Sequence, residues 1–212
     1  MKIGVLGSGD VAKTLAGGFV KHGHQVTIGT RNAAKLAEWA KQKAGANVAN
    51  FADAARFGEV VVLAVKGSAA IEALRAAGAA NLDGKTIIDA TNPIADAPPD
   101  HGVIKFFTTL DDSLMERLQR EFPRAHFVKA FNSIGNAFMV DPQFKGGKPT
   151  MFICGDNAGA KAAVTKLLDQ LGWETADMGG VQGARAIEPL CILWCIPGML
   201  RNEWSHAFKL LR

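Results

Sequence analysis

Gly7-Ser8-Gly9-Asp10-Val11-Ala12 places two glycines and a small residue at G-x-G-x-x-A spacing. The stretch follows an apolar run, Lys2 to Leu6, and opens a helical pattern. Residues of these types at this spacing can hold a phosphate. Gly7 permits a tight turn, Gly9 lets the backbone approach a pyrophosphate, and Ala12 is small enough for helix to pack on strand. A helix starting at Asp10 and Val11 presents unpaired N–H groups and a partial positive charge to the same anion.

The end of the second strand selects between the two nicotinamide dinucleotides. An acidic residue there would bond the ribose hydroxyls of NAD. This chain has Gly29-Thr30-Arg31-Asn32, with Lys35 one turn further on. Arg31 can grip a 2′-phosphate in a fork, and Thr30 and Lys35 add donors, which points to NADP. The alternative is a solvated basic helix start with Asn32 as its N-cap. Ala64-Val65-Lys66 ends a continuous apolar run and is expected over the ligand crevice. Asn92-Pro93 and Phe131-Asn132-Ser133 bring polar groups to the ends of two later strands. Thr91 reads equally as a ligand contact or a plain turn residue.

The remaining candidates for chemistry are sparse. No tyrosine occurs, so a Tyr-x-x-x-Lys dyad is excluded, and no catalytic set stands out. Lys129 reads either as a cation that stabilises a reduced ring or as a surface strand residue. Asn132 and Ser133 can bond the cofactor carboxamide or a second substrate. Cys191 and Cys195 lie at i and i+4, a redox pair or, more simply, buried small apolar residues. Trp194 can stack on a ring, fill the core or sit in an interface. Glu188 and His206 show no partner and read as surface residues. His22 and His24 lack metal-ligand spacing.

To position these residues, the chain needs alternating strands and helices. The pattern predicts strands at 2–6, 25–29, 47–50, 59–65, 85–89 and 126–130. Helices are predicted at 10–22, 33–43, 52–57, 68–79 and 111–121. Residues 92–109 hold three prolines and read as a long loop. Residues 150–178 read as a further βαβ unit, and 183–211 as mostly helical with a break at Pro197-Gly198. The expected fold is α/β: a Rossmann-like, doubly wound, mostly parallel sheet with a helical C-terminal segment. One continuous domain is expected over 1–212. Its core, 1–150, binds the dinucleotide, and 151–212 forms a second-substrate pocket, a dimer interface or both.

Composition narrows the partners. Among 212 residues, 48% are hydrophobic and 21% charged, as in a soluble globular protein. The net charge of +4 is dispersed, with no basic block interleaved with aromatics, so nucleic acid is not an expected partner. Pro189 to Leu200 is shorter than a bilayer span, so no membrane partner is expected, and its apolarity suits a homodimer interface. Three cysteines without C-x-x-C, and an N-terminus that enters a strand directly, indicate a reducing cytoplasm.

The opening IGVLGSGDVAKTLAGGFVKHGHQVTIGTRN, the IIDATNP strand end and the VKAFNSIGN segment together resemble the NADP reductases dependent on the deazaflavin coenzyme F420. The likeness runs in order over most of the chain and weakens after about residue 155. It implies NADPH along the sheet edge and a flat second ring stacked on the nicotinamide. By that resemblance Ser8, Thr30, Arg31 and Lys35 hold the phosphates. Val65, Asn92, Ala130 and Asn132 fall on the nicotinamide side. The implied activity is hydride transfer between NADP(H) and a deazaflavin or flavin, chemistry that the two rings carry themselves. Alternatives are reduction of FMN, FAD or a small organic acceptor, and an NADP(H)-binding sensor without catalysis. Membrane ferric reductases carry a similar domain.

Overall fold

The structure, a computed structural model, describes residues 1–43 and 45–211. Each short apolar strand is followed by an amphipathic helix, so each crossover returns to a parallel neighbour. The strands are β1 (Lys2–Leu6), β2 (Gln25–Gly29), β3 (Ala46–Ala49), β4 (Val60–Leu63), β5 (Thr86–Asp89) and β6 (His126–Lys129). They form one parallel sheet in the order β3-β2-β1-β4-β5-β6. This doubly wound order reverses beside β1, which leaves a crevice at the carboxyl ends of β1 and β4.

Alternate side chains divide the core between the two faces of the sheet. Ile3, Val5, Val62, Ile88 and Val128 meet α1 (Asp10–Lys21) and α6 (Ala158–Gln170). Leu6, Val61, Leu63, Ile87 and Phe127 meet α3 (Phe51–Phe57), α4 (Ala70–Ala77) and α5 (Leu114–Glu121). Burial on both faces is why β4 reads as uninterrupted valine and leucine.

The second helical stretch departs from its predicted form. A 3-10 turn, Ala33–Leu36, precedes a short α2 (Ala37–Gln42). The predicted βαβ unit is a separate parallel pair, β7 (Thr150–Ile153) and β8 (Glu174–Asp177). It joins the main sheet where the Lys129 amide donates to the Cys154 carbonyl at 3.0 Å.

The C-terminal segment corrects two expectations. Helices α7 (Ala184–Ile187) and α8 (Leu190–Arg201) form, but α8 runs through Pro197 and ends at Asn202 in the left-handed conformation. From there the chain folds back without helix. Trp204 packs on Gly198, and the Phe208 carbonyl accepts from the Thr150 amide at 2.9 Å. The helical run Val181–Arg201 is, by length and composition, long enough to cross a bilayer, unlike the shorter apolar run within it. Here Ala184, Ile187, Glu188, Cys191 and Trp194 are buried within the protein.

Candidate functional site

The turn between β1 and α1 explains its two glycines differently. Gly7 has φ +140°, and a Cβ there would lie 2.2 Å from the Ala64 carbonyl oxygen, so the fold itself demands glycine. Gly9 has ordinary extended dihedrals, and a Cβ there would meet nothing within 4 Å. Packing does not require Gly9; what it leaves open is the space above the turn. No side chain caps α1, so the N–H groups at its start face the same space. Ala12 is fully buried, Asp10 is exposed and Val11 is half-buried.

That space is a cleft of about 530 Å³. It gathers Gly7, Ser8, Gly9, Thr30, Arg31, Lys35, Ala64 and Val65 from three separate stretches of sequence. Lys66 lines it as expected, and sequence reasoning missed the α4 residues Glu72, Ala73 and Ala76, which close one wall. At the far corner Arg31 and Lys35 are exposed, and among the described residues neither side chain has a partner. Thr30 is buried, and its hydroxyl is held locally: it accepts from the Asn32 amide at 3.1 Å and donates to the Asn32 carbonyl at 3.3 Å. Asn32 caps the 3-10 turn through the Ala34 amide, as the basic-helix-start alternative required. Two unpaired cations beside an uncapped helix start fit a dinucleotide with a further phosphate.

The other predicted residues stand at the ends of β5 and β6. The Asn92 amide donates to the Asn132 carbonyl at 2.7 Å, and the Asn132 amide donates to the Ile187 carbonyl at 2.9 Å. Among the described residues the Asn132 side-chain oxygen is buried with no partner, an orphan acceptor at this end of the crevice. Ala130 and Ser133 are buried beside it. Phe131 is buried at φ +64°, a strained conformation for an aromatic residue that turns Asn132 back toward Asn92. Gly67, which sequence reasoning passed over, fits because a Cβ there would lie 2.0 Å from the Asn92 carbonyl oxygen. Thr91 is a turn residue: its hydroxyl and amide both bond Asp89, at 2.6 and 2.9 Å.

Behind these residues lies a buried ionic cluster that overturns two expectations. Lys129 is no surface residue; it has no exposure, and its ammonium touches Asp89 at 2.7 Å, Glu188 at 3.0 Å and the Thr91 carbonyl at 3.0 Å. Burial opposes its charge, but Asp89 and Glu188 overcome that and hold it protonated well above the usual lysine range. Glu188 is likewise buried, and accepts from the Leu114 and Met115 amides at the start of α5, both at 3.0 Å. Next to it Arg185 forks onto Glu116, which also closes a capping box with Ser113. The signal was present in sequence: each of two apolar strands ends on a charge, and Asp89 and Lys129 are direct neighbours in the register.

His206 is not an isolated surface residue either. It stacks on Trp194 at 5.0 Å and bonds its carbonyl at 2.9 Å. Cys191 and Cys195 are free thiols on α8, the first buried and the second half-buried. A second cleft, about 260 Å³, opens between Phe106–Leu110 of the long loop and Arg185, Glu188, Pro189 and Ile192.

A family model for coenzyme F420-dependent NADP oxidoreductases matches residues 2–93. A solved structure from Arthrobacter sp. FB24, provisionally assigned as an F420-dependent NADP-reductase, is 37% identical, with a TM-score of 0.93 over 100% of both chains. The chain belongs to the F420-dependent NADP oxidoreductase family. The family is one of NADP-dependent oxidoreductases, and its Rossmann-like α/β fold is the one described above. Metalloreductase STEAP3 of Rattus norvegicus is 32% identical over 94% of the chain, and Metalloreductase STEAP2 of Homo sapiens 28% over 98%. The chain spans about two fifths of the length of these curated relatives. An imine reductase from Myxococcus stipitatus in complex with NADP+ shares the fold, with a TM-score of 0.68 at 18% identity, over 91% of this chain and 60% of that one.

Proposed function

We propose that this protein binds NADP(H) along the sheet edge and exchanges a hydride with a flat ring acceptor, coenzyme F420 before others. The observation that carries the reading is the open space above Gly9, framed by an uncapped helix start and two unpartnered cations. Gly7 to Ala12 hold the pyrophosphate through backbone N–H groups, and Arg31 and Lys35 take the 2′-phosphate from the solvent side. Thr30 orders that corner through Asn32. Ala64, Val65, Asn92 and Ala130 border the nicotinamide, and Asn132 offers its unpartnered oxygen to the carboxamide. When bound, NADPH supplies the hydride; the chain binds, orients and excludes water.

The acceptor lies between the nicotinamide and the C-terminal segment, where the long loop and α7–α8 enclose the smaller cleft. Residues 151–212 complete that pocket around a 1–150 core. A homodimer is supported by the outer face of α8, where Leu193, Met199 and Leu200 are exposed. A cytoplasmic setting suits three free thiols. In a second reading, FMN or FAD receives the hydride.

Anaerobic NADPH oxidation by the purified protein, with F420, FMN and FAD offered in turn, separates these readings. Turnover with F420 alone is expected. Turnover only with flavins makes the second reading correct. NADPH binding without any oxidation leaves a sensor.

A further inference from the structure

Asp89, Lys129 and Glu188 carry two carboxylates and one ammonium at 0–1% exposure. Lys129 donates to the Thr91 carbonyl and ion-pairs with both carboxylates, Asp89 at 2.7 Å and Glu188 at 3.0 Å. Glu188 accepts only from donors, the Leu114 and Met115 amides and Lys129, so no partner is left to receive a carboxyl proton. Asp89 Oδ1 accepts from the Thr91 amide and hydroxyl, and among the described residues its Oδ2 has only the Lys129 charge beside it, at 2.7 Å. The cluster therefore holds one negative charge in excess.

Its neighbours do not remove that charge. Arg185 is committed to Glu116 in a neutral pair. Burial raises the Cys154 thiol to about 12, and the Cys195 thiol together with burial raises Cys191, so both stay uncharged. The α5 N-terminus offers its amides and partial charge, about half an elementary charge, which reduces the excess without cancelling it. A buried excess charge is unfavourable unless something offsets it.

The cluster is tied to the strand ends at two points, and Glu188 also lines the smaller cleft. Lys129 bonds the carbonyl of Thr91, one peptide from Asn92, and Lys129 itself precedes Ala130. Glu188 follows Ile187, whose carbonyl holds Asn132. These are the residues assigned to the nicotinamide side. The oxidised nicotinamide ring is cationic and the reduced ring neutral. We infer that the Asp89–Lys129–Glu188 cluster acts as a fixed negative charge that favours bound NADP+ over bound NADPH, lowering the potential of the bound couple. This inference rests on the proposed NADP(H) site.

The test is separate titration of NADP+ and NADPH into the full chain, read as the ratio of dissociation constants. Wild-type protein is expected to bind NADP+ about tenfold more tightly than NADPH, the scale of one charge near a buried site. Glu188→Gln and Asp89→Asn each remove one negative charge from opposite ends of the cluster. Both are expected to shift the ratio toward NADPH by about tenfold. Glu188→Asp keeps the charge while changing the packing, and is expected to leave the ratio near wild type. A purely structural role would weaken both forms alike in all three variants. Folded Glu188→Gln and Asp89→Asn proteins with the wild-type ratio overturn the inference. If neither variant folds, the wild-type ratio decides, and a preference for NADPH overturns it. Absence of binding to either form overturns the NADP(H) reading, and this inference with it.

Discussion

At the residue scale, Gly9 and Arg31 give opposite tests of the same cleft. Gly9 has extended dihedrals and open space beyond its Cα, so valine fits the fold. Gly9→Val is expected to leave the melting temperature unchanged while abolishing NADPH and NADH binding alike. Lost stability with retained binding would show that the space is not the cradle. Arg31 is exposed and, among the described residues, its side chain has no partner. Arg31→Ala should weaken NADPH binding by about 1.5 kcal/mol, roughly tenfold, and spare NADH. Equal losses would remove the 2′-phosphate from this corner. Both residues were legible in sequence because glycine spacing fixes where the second strand must end. Glu188 was not, since its partners come from α5, 73 and 74 residues away along the chain.

At the scale of elements, two side chains of the C-terminal segment tie it to the start of α5. Arg185 holds the Glu116 carboxyl down from its ordinary 4.5 to about 2, against burial and with help from Ser113. A depressed carboxyl adds stability that is full above its unfolded value and is lost as pH falls from about 4.5 toward 2. The loss between pH 6 and pH 3 should be about 1–2 kcal/mol, discounted because Arg185 is partly exposed. Urea unfolding at pH 6 and pH 3 measures it, and Glu116→Gln should flatten that dependence. The deeper tie is Lys129. Lys129→Met leaves two buried carboxylates without their cation and is expected to cost about 3–5 kcal/mol of unfolding free energy. A cost under about 1 kcal/mol would mean that the cluster is neither dry nor tightly paired.

At the scale of the whole molecule, one doubly wound sheet presents its binding residues along a single edge, so occupancy should stabilise the entire fold. NADPH at a hundredfold excess over its dissociation constant adds about 2.7 kcal/mol. For a chain of 212 residues that is a rise of about 5–10 °C in melting temperature. NADH at the same concentration should raise it much less, because it lacks the phosphate for Arg31 and Lys35. An equal rise with both would place the chain outside NADP specificity.

Local chemistry alone determined the alternation of strands and helices, the glycine turn and the basic corner. Each depends on residues a few positions apart, through period, turn conformation and helix-start donors. The two-faced core was legible for the same reason, since Val60 to Leu63 could only be a strand buried on both sides. Tertiary structure alone decided the course of the C-terminal segment. Trp204 packing on Gly198 and the bond from Thr150 to Phe208 draw residues 202–211 away from helix. Tertiary structure also decided the burial of Lys129 and Glu188. A charge leaves water only where distant chain segments meet it with opposite charges and backbone donors together, and no local pattern records that meeting.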